Sequence, residues 1–360
     1  MLWAMVVGQQ HGNGLQEPDA LDQKGNRYYK RKLLQREFLM KDLMKLTFEL
    51  PEEVSLRSLG FDTGLGDFVR MRPYAEEHTK LVENPAGGRA YSPVLHPDVK
   101  GRFSTIVRAY APEEDKIVGV SSLLKHAPIG TELLISHNVE HVFWNERNRG
   151  YYCNERNIES QSDSSYYVGL VSFGIGITEI APVAMSELLD DRVKKVTILW
   201  ANKFWSDAAW VWKGEETGQT EDLVHRFFAE QGKYGSRLEI KHILSREERP
   251  EACFHGRINS DILRRAFLET EVPRQSMKFL AVGTTQMIDD AYGQLSELGF
   301  DIAKKEHWSG SNLLYRKCAA SSACGERRLS PLLAAAPQEA SKRRQASDEE
   351  RSCKRLKQNV

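Results

Sequence analysis

The chain has 360 residues, its 50 Lys and Arg are balanced by 50 Asp and Glu, and 41% of it is hydrophobic. That length supports two domains with sizeable cores, and the apolar share excludes a wholly disordered chain. The cancelled charge excludes a global field that draws the protein to nucleic acid or an anionic membrane, so neither is expected as a partner.

At the start, MLWAMVV is an apolar run with no basic stretch before it. It is too short to span a membrane and poorly built for a signal peptide. Residues 1–27 read as a polar, flexible N-terminus, and Glu17, Asp19 and Asp22 argue against a mitochondrial presequence. From Lys32 to Tyr110 short runs alternate between Gly and Pro punctuation. LTFEL (Leu46–Leu50), DFVRMRP and FSTIVRAY (Phe103–Tyr110) read as strands of an antiparallel barrel.

After Ser165 the texture changes. YVGLVSF (Tyr167–Phe173) is a nearly continuous apolar run, as in a buried parallel strand. Helical spacing follows over Thr178–Leu189, then a strand at Val196–Ala201 and a helix around Glu221–Glu230. The strand Arg237–Leu244, the helix Asn259–Leu268, the strand Met277–Gly283 and the helix Gln286–Leu298 complete the pattern. Such alternation predicts a parallel sheet with helices on both faces. The fold class is therefore α+β with two domains: an antiparallel Greek-key β-barrel, then a Rossmann-like α/β domain. The expected boundaries are 28–145 for the barrel, 146–165 for a polar insertion, 166–318 for the α/β domain and 319–360 for a disordered basic tail. That tail holds nine Lys and Arg against five Asp and Glu.

The five cysteines, Cys153, Cys253, Cys318, Cys324 and Cys353, form no C-x-x-C pair. Odd count and wide spacing exclude a disulfide framework or a zinc cluster and fit a reducing compartment, so a soluble, cytoplasmic protein is expected. Lys342–Arg344 and Lys354–Lys357 resemble a bipartite import signal, which makes the nucleus the alternative. His137 and His141 sit in an extended segment, where four residues span about 13 Å, too far for one metal ion. Trp200, Trp205, Trp210 and Trp212, with Phe204, read as core.

Two segments carry chemistry. RAYSPV (Arg89–Val94) puts a guanidinium and a phenol ring on one face of a short strand, with the Ser92 hydroxyl beyond them. Such a strand suits a diphosphate, a flat ring and a ring nitrogen; taken alone, it reads first as an ordinary edge strand with a surface arginine. In FGIGITEI (Phe173–Ile180), Gly174 and Gly176 let a dinucleotide approach the backbone, and the helix that follows offers its N-terminus to anions. The third glycine of the common dinucleotide fingerprint is missing.

RAYSPV resembles the R-x-Y-[ST]-P flavin signature of the ferredoxin–NADP reductase superfamily, nearest its NADH–cytochrome b5 reductase branch. Further segments match in the family's order: FELP (Phe48–Pro51), GDFVRM (Gly66–Met71), IVRAY (Ile106–Tyr110), GVSSLL (Gly119–Leu124) and IGTELLI (Ile129–Ile135). FGIGITEI, WANKFWSD (Trp200–Asp207), HGRINSDILRRAF and AVGTTQMI (Ala281–Ile288) continue the match. The resemblance covers about Lys32 to Tyr315.

It implies FAD as cofactor and NADH as co-substrate. Arg89 would neutralise the FAD diphosphate, with Ala90 beside it. Tyr91 would pack on the isoalloxazine and Ser92 would hydrogen-bond near flavin N5, which makes Tyr91 and Ser92 the candidate catalytic pair. Ile106, Arg108 and Tyr110 would line the cofactor, Arg108 also meeting the dinucleotide phosphates. Gly119 with Ser121 or Ser122 would cradle the diphosphate, and Thr178 would sit near the flavin. Gly174, Gly176, Asn202, Gly283 and Met287 would serve the dinucleotide. Ala201–Asn202 lacks the arginine usual for an extra phosphate, so NADPH is disfavoured. The implied activity passes hydride from NADH to FAD and electrons to an acceptor, such as the haem protein cytochrome b5 or a quinone. Ile175, Glu179 and Thr284 depart from the family's Thr, Pro and Pro, and Val282 replaces its Cys. All four lie on the nucleotide side. They support a rival reading: a non-catalytic flavin- or nucleotide-binding module with a degenerate NAD site, recruited through its tail.

Overall fold

Alternating apolar positions decide which face of each N-terminal strand turns inward. On LMKLTFE the residues Met44, Leu46 and Phe48 share one face, and all three are fully buried. The computed structural model describes residues 18–21, 27–59, 69–74, 89–109, 119–136, 165–212, 221–268, 272–302 and 312–314. The first sheet comprises β1 (Ala20–Leu21), β2 (Arg27–Met40), β3 (Leu43–Glu49), β4 (Val69–Pro73), β5 (Arg89–Tyr91), β6 (Arg102–Arg108) and β7 (Glu132–Ser136), with helix α1 (Val120–His126) before β7. Its antiparallel order is β5-β4-β7-β2-β3-β6, with β1 paired to β2.

Strand β2 makes the corner of the barrel. Its residues Tyr29–Lys32 pair with β7, and from Leu33 onward it pairs with β3, with irregularities at Leu33/Gln35 and Phe38/Met40. Bulges of this kind bend a strand from one partner towards another. A bridge between Pro93 and Thr105, with the Val94 N–H donating to the Ser104 carbonyl at 2.8 Å, brings the chain after β5 back to β6. Leu33, Met71 and the stacked Phe48–Phe103 pair fill the interior, and α1 adds Val120, Leu123 and Leu124.

One expectation needs correction here. Ala20 and Leu21, read as part of a flexible N-terminus, pair with Tyr28 and Arg27. The Asp19 carboxylate accepts the Lys30 N–H at 2.8 Å. Two residues are too few to show a period, so the pairing had no pattern to reveal it.

The second sheet is parallel throughout: β8 (Tyr166–Phe173), β9 (Val193–Asn202), β10 (Leu238–Leu244), β11 (Phe254–His255) and β12 (Met277–Val282), in the order β11-β10-β9-β8-β12. Helices α2 (Ile177–Leu188), α3 (Leu223–Ala229), α4 (Ser260–Phe267) and α5 (Thr285–Glu297) accompany it. Asp222, Asn259 and Thr284 cap the last three, each accepting backbone N–H groups of the first turn. Gly169 on β8 has a packing reason. A β-carbon there would lie 2.5 Å from the Phe279 ring, which packs edge-on against Phe267.

Within the aromatic group, Trp200 and Trp210 are buried, Trp205 and Trp212 stack at 5.3 Å, and Phe204 stays 40% exposed. His242 lies among Trp200, Trp205 and Trp212. Burial pushes its imidazole down to about 4, so it stays neutral at ordinary pH.

Both sheets belong to one compact unit. Where they meet, Lys45 of β3 and Asp222 before α3 form a buried ion pair at 3.1 Å, with His225 at 3.4 Å from the same carboxylate oxygen. Burial alone would raise the Asp222 carboxyl, but the His225 contact and the Lys45 charge outweigh it and hold it below its usual range. Asp222 also bridges Leu95, and the Leu223 N–H donates to the Val94 carbonyl at 2.7 Å, so this segment is stitched into the barrel.

Among the described residues, no helix is long and apolar enough to cross a membrane, and no His/Cys/Asp/Glu group is placed to hold a metal. His137, His141, Tyr110 and the basic tail lie outside the described residues.

Candidate functional site

The chain order of the parallel sheet selects a crevice. From β8 the chain moves through β9, β10 and β11 to one side, then returns as β12 on the other side of β8. Ligands of open α/β sheets bind outside the carboxyl ends of the strands, where such a reversal occurs. The Gly174–Gly176 turn follows β8 and Gly283 follows β12, so both expected glycine segments border that crevice. The turn also packs against β6 of the barrel.

The glycines divide into two kinds. Gly174 has φ +54°, and a β-carbon there would meet nothing within 4 Å, so it opens onto space. Its carbonyl accepts the Trp200 Nε1–H at 2.8 Å, which fixes the turn. Gly176 and Gly283 face protein instead: β-carbons there would lie 2.7 Å from the Val282 carbonyl oxygen and 2.8 Å from the Phe173 ring. The missing side chain of Gly176 lets the loop close onto β12.

On the barrel side, β5 presents Arg89, Ala90 and Tyr91. Arg89 is exposed and makes no hydrogen bond or ion pair among the described residues. The Tyr91 ring packs on the barrel core, and burial raises its phenol well above the usual range, so it remains a neutral ring. Strand β4, which pairs with β5, also carries α1. Gly119 caps α1 with no side-chain bond, and a β-carbon there would meet nothing within 4 Å. Ser121 is half-buried and Ser122 buried. Ile106 lies buried on the outer face of β6, with Arg108 two residues further on.

The seam between the halves holds the polar contacts that sequence reasoning missed. Ser92 Oγ donates to Glu179 Oε2 at 3.3 Å, so the hydroxyl after β5 meets the buried carboxylate in the first turn of α2. Arg108 pairs with Asp207 Oδ1 at 3.0 Å, and Arg102 with Glu221 at 2.7 Å. With Lys45–Asp222, four barrel side chains are each met by an acid of the second half. Separations such as 87 and 99 residues leave no local signal for these pairs.

Thr178 is buried beside Glu179, and its hydroxyl donates to the Ile175 carbonyl at 3.0 Å. Among the described residues, the buried Nδ2 of Asn202 at the end of β9 and the buried Ser172 hydroxyl near the end of β8 have no hydrogen-bond partner. Met287 is exposed in the first turn of α5.

Solved structures of the same fold place this architecture. The chain superposes on the cytochrome b5 reductase domain of Ulva prolifera nitrate reductase with a TM-score of 0.54 and 18% identity, covering 78% of this chain and 95% of that one. The CS-b5R domains of human Ncb5or give 0.52 and 17%, covering 78% and 69%. A ferredoxin NADP+ reductase from Neisseria gonorrhoeae, solved with FAD and NADP bound, gives 0.51 and 14%, covering 80% and 98%. The fold is therefore the two-domain fold of ferredoxin–NADP reductases and cytochrome b5 reductases. No protein-family model matches the chain, and no curated protein matches it.

Proposed function

We propose that the chain is a flavin-dependent oxidoreductase of the cytochrome b5 reductase kind, with FAD held by the part spanning 28–145 and NADH received by the part spanning 166–318. The observation that carries this reading is Arg89, an exposed cation with no hydrogen bond or ion pair among the described residues, beside the half-buried ring of Tyr91. A diphosphate would supply the missing charge. The open Gly119 and the uncapped start of α1 fit the same group, with Ser121 or Ser122 at its edge. When bound, FAD supplies the two-electron acceptor, and the protein supplies position and electrostatics. Tyr91 would give the ring a flat apolar support, Ser92 would lie beside N5 once its hydroxyl is released from Glu179, and Ile106 would exclude water from the outer face of β6. Open Gly174 and the orphaned Asn202 amide fit a dinucleotide at the crevice. Asn202 brings no cation for an extra phosphate, which favours NADH over NADPH. The electrons pass to an acceptor such as a haem protein.

A second reading has its own observation. Ser92 and Arg108, the polar groups expected at the reactive end, are engaged by Glu179 and Asp207. A flavin-binding module that never turns over NADH would also leave them so. Adding NADH anaerobically to the FAD-loaded chain separates the two. Rapid bleaching of the flavin spectrum is the expected outcome. Flavin that stays oxidised with NADH but reduces with dithionite establishes the binding module, and failure to retain FAD sinks both.

A further inference from the structure

The outer face of β2, β3 and β6 carries a cleft of about 200 Å³. Strand register builds its floor. Met44, Leu46 and Phe48 point into the barrel, which turns Lys45 and Thr47 to the other face. Gln35 and Ser104 lie directly across from Thr47 on either side, so an amide and two hydroxyls form one row. Leu95 and Glu221 close the cleft from the seam. They are held there by the Leu95–Asp222 bridge and by the His96 N–H, which donates to the Glu221 carbonyl at 3.3 Å. Arg102 starts β6, about 20 Å along the strand from Arg108 at its other end. No residue of the cleft is among those assigned to FAD or the dinucleotide.

We propose that this cleft binds a small, neutral, hydroxyl-rich ring, a monosaccharide or a carbocyclic polyol. Its size is right, since a cavity of about 150 Å³ already takes up benzene. The lining holds two acids, Glu37 and Glu221, and two cations, Lys45 and Arg102, so no net charge selects an ion. Arg102 is paired with Glu221 at 2.7 Å and Lys45 with Asp222 at 3.1 Å. An ionic ligand would have to break such a pair. Hydroxyls need not, because each one both donates and accepts. Capacity for them remains among the described residues. The Arg102 guanidinium has five N–H donors and gives a bond only to Glu221. Glu221 is engaged through Oε2 alone, and the Gln35 amide makes no hydrogen bond. Thr47 and Ser104 share one bond at 2.8 Å, which leaves one hydroxyl proton to give. Neighbouring hydroxyls on a ring match this set: one accepts from Arg102, the next donates to Glu221, and others meet Gln35 and the Thr47–Ser104 pair. Glu221 comes from the α/β half and the floor from the barrel, so the ligand would span the seam. The proposal stands independently of the flavin reading.

The test is saturation-transfer NMR on the full chain, with myo-inositol and D-glucose as probes and glycine as a zwitterionic competitor. At least one probe is expected to bind saturably with a Kd of about 1 mM, the scale of a few net hydrogen bonds. The tighter of the two tells a carbocyclic polyol from a sugar. Excess glycine should not displace it. Gln35→Leu, at an exposed position, removes the amide and should weaken binding about threefold to tenfold. Glu221→Gln removes the charge on the opposite wall and should weaken it about tenfold. Thr47→Val keeps the side chain's shape, removes its hydroxyl, and covers the case in which the change at Glu221 unsettles the seam. Signals that do not saturate for either probe, or binding that all three variants leave within about twofold of the parent, overturn the proposal. Displacement by glycine overturns the ligand class. FAD retention by the same proteins reports on the flavin reading alone, so the two can fail separately.

Discussion

Arg89 and Arg108 begin and end neighbouring parts of the same barrel, and their surroundings differ. Arg89 is exposed and unpaired among the described residues, beside a ring and near a helix start whose glycine opens onto space. Arg108 is half-buried and held by Asp207, in a seam where Ser92, Arg102 and Lys45 are also met by acids. Arg89 is left for something outside the chain, whereas the seam groups along β6 and its neighbours fasten the two halves together. An unsatisfied polar group is costly when buried and cheap when exposed, so Arg89 can meet a ligand without breaking a bond, whereas Arg108 must first leave Asp207.

The contrast breaks first if the seam contributes nothing. Replacing Lys45 by Met strands the fully buried Asp222 carboxylate, and the expected loss is about 3–5 kcal/mol in urea denaturation. Asp222 also sets a pH limit. Its carboxyl titrates lower in the fold than the usual 3.8 of an unfolded chain, so the stability it contributes is whole above about pH 4 and fades as pH falls below. The Lys45→Met protein, which keeps the His225 contact, should show that acid-sensitive step weakened. A destabilisation under about 1 kcal/mol would mean the pair is no fastening.

A smaller effect sharpens the flavin end. Arg89→Ala should weaken FAD about 10- to 100-fold in a fluorescence titration, as expected for losing a charge-assisted contact to phosphate, and Arg108→Ala by less than about threefold. Equal losses would erase the distinction between the two arginines. The smallest expected change tests the seam as a competitor. Asp207→Asn releases Arg108 and should tighten NAD+ about threefold, the scale of a partly exposed ion pair. Unchanged binding would show that Arg108 does not serve the dinucleotide.

Much of the fold was legible because periodicity reports burial. The alternation of Met44, Leu46 and Phe48, and the fully buried β12, follow directly from which faces meet solvent. The helix beginning at Asn259 was legible for the same local reason, and there the Asn259 side chain accepts the Ile262 N–H. Glu179 was visible only as a departure from a family pattern; that it meets Ser92 was not, because the partner comes from the other domain. Lys45 and Asp222 gave no sign at all, since a buried pair between distant residues looks like two ordinary surface charges in a sequence. The packing of Gly176 was hidden for a related reason: a β-carbon there would lie 2.7 Å from the Val282 carbonyl, on a strand distant in sequence.

The strip of chain around Asp222 has a consequence for how such proteins diversify. It belongs in sequence to the α/β half, yet its carbonyls, amides and carboxylate complete the barrel through Val94, Leu95, His96 and Lys45. Halves stitched this way are not interchangeable parts. An α/β half transplanted onto another barrel would arrive with a buried acid seeking a lysine that is not there, so exchanging whole domains would strand a buried charge.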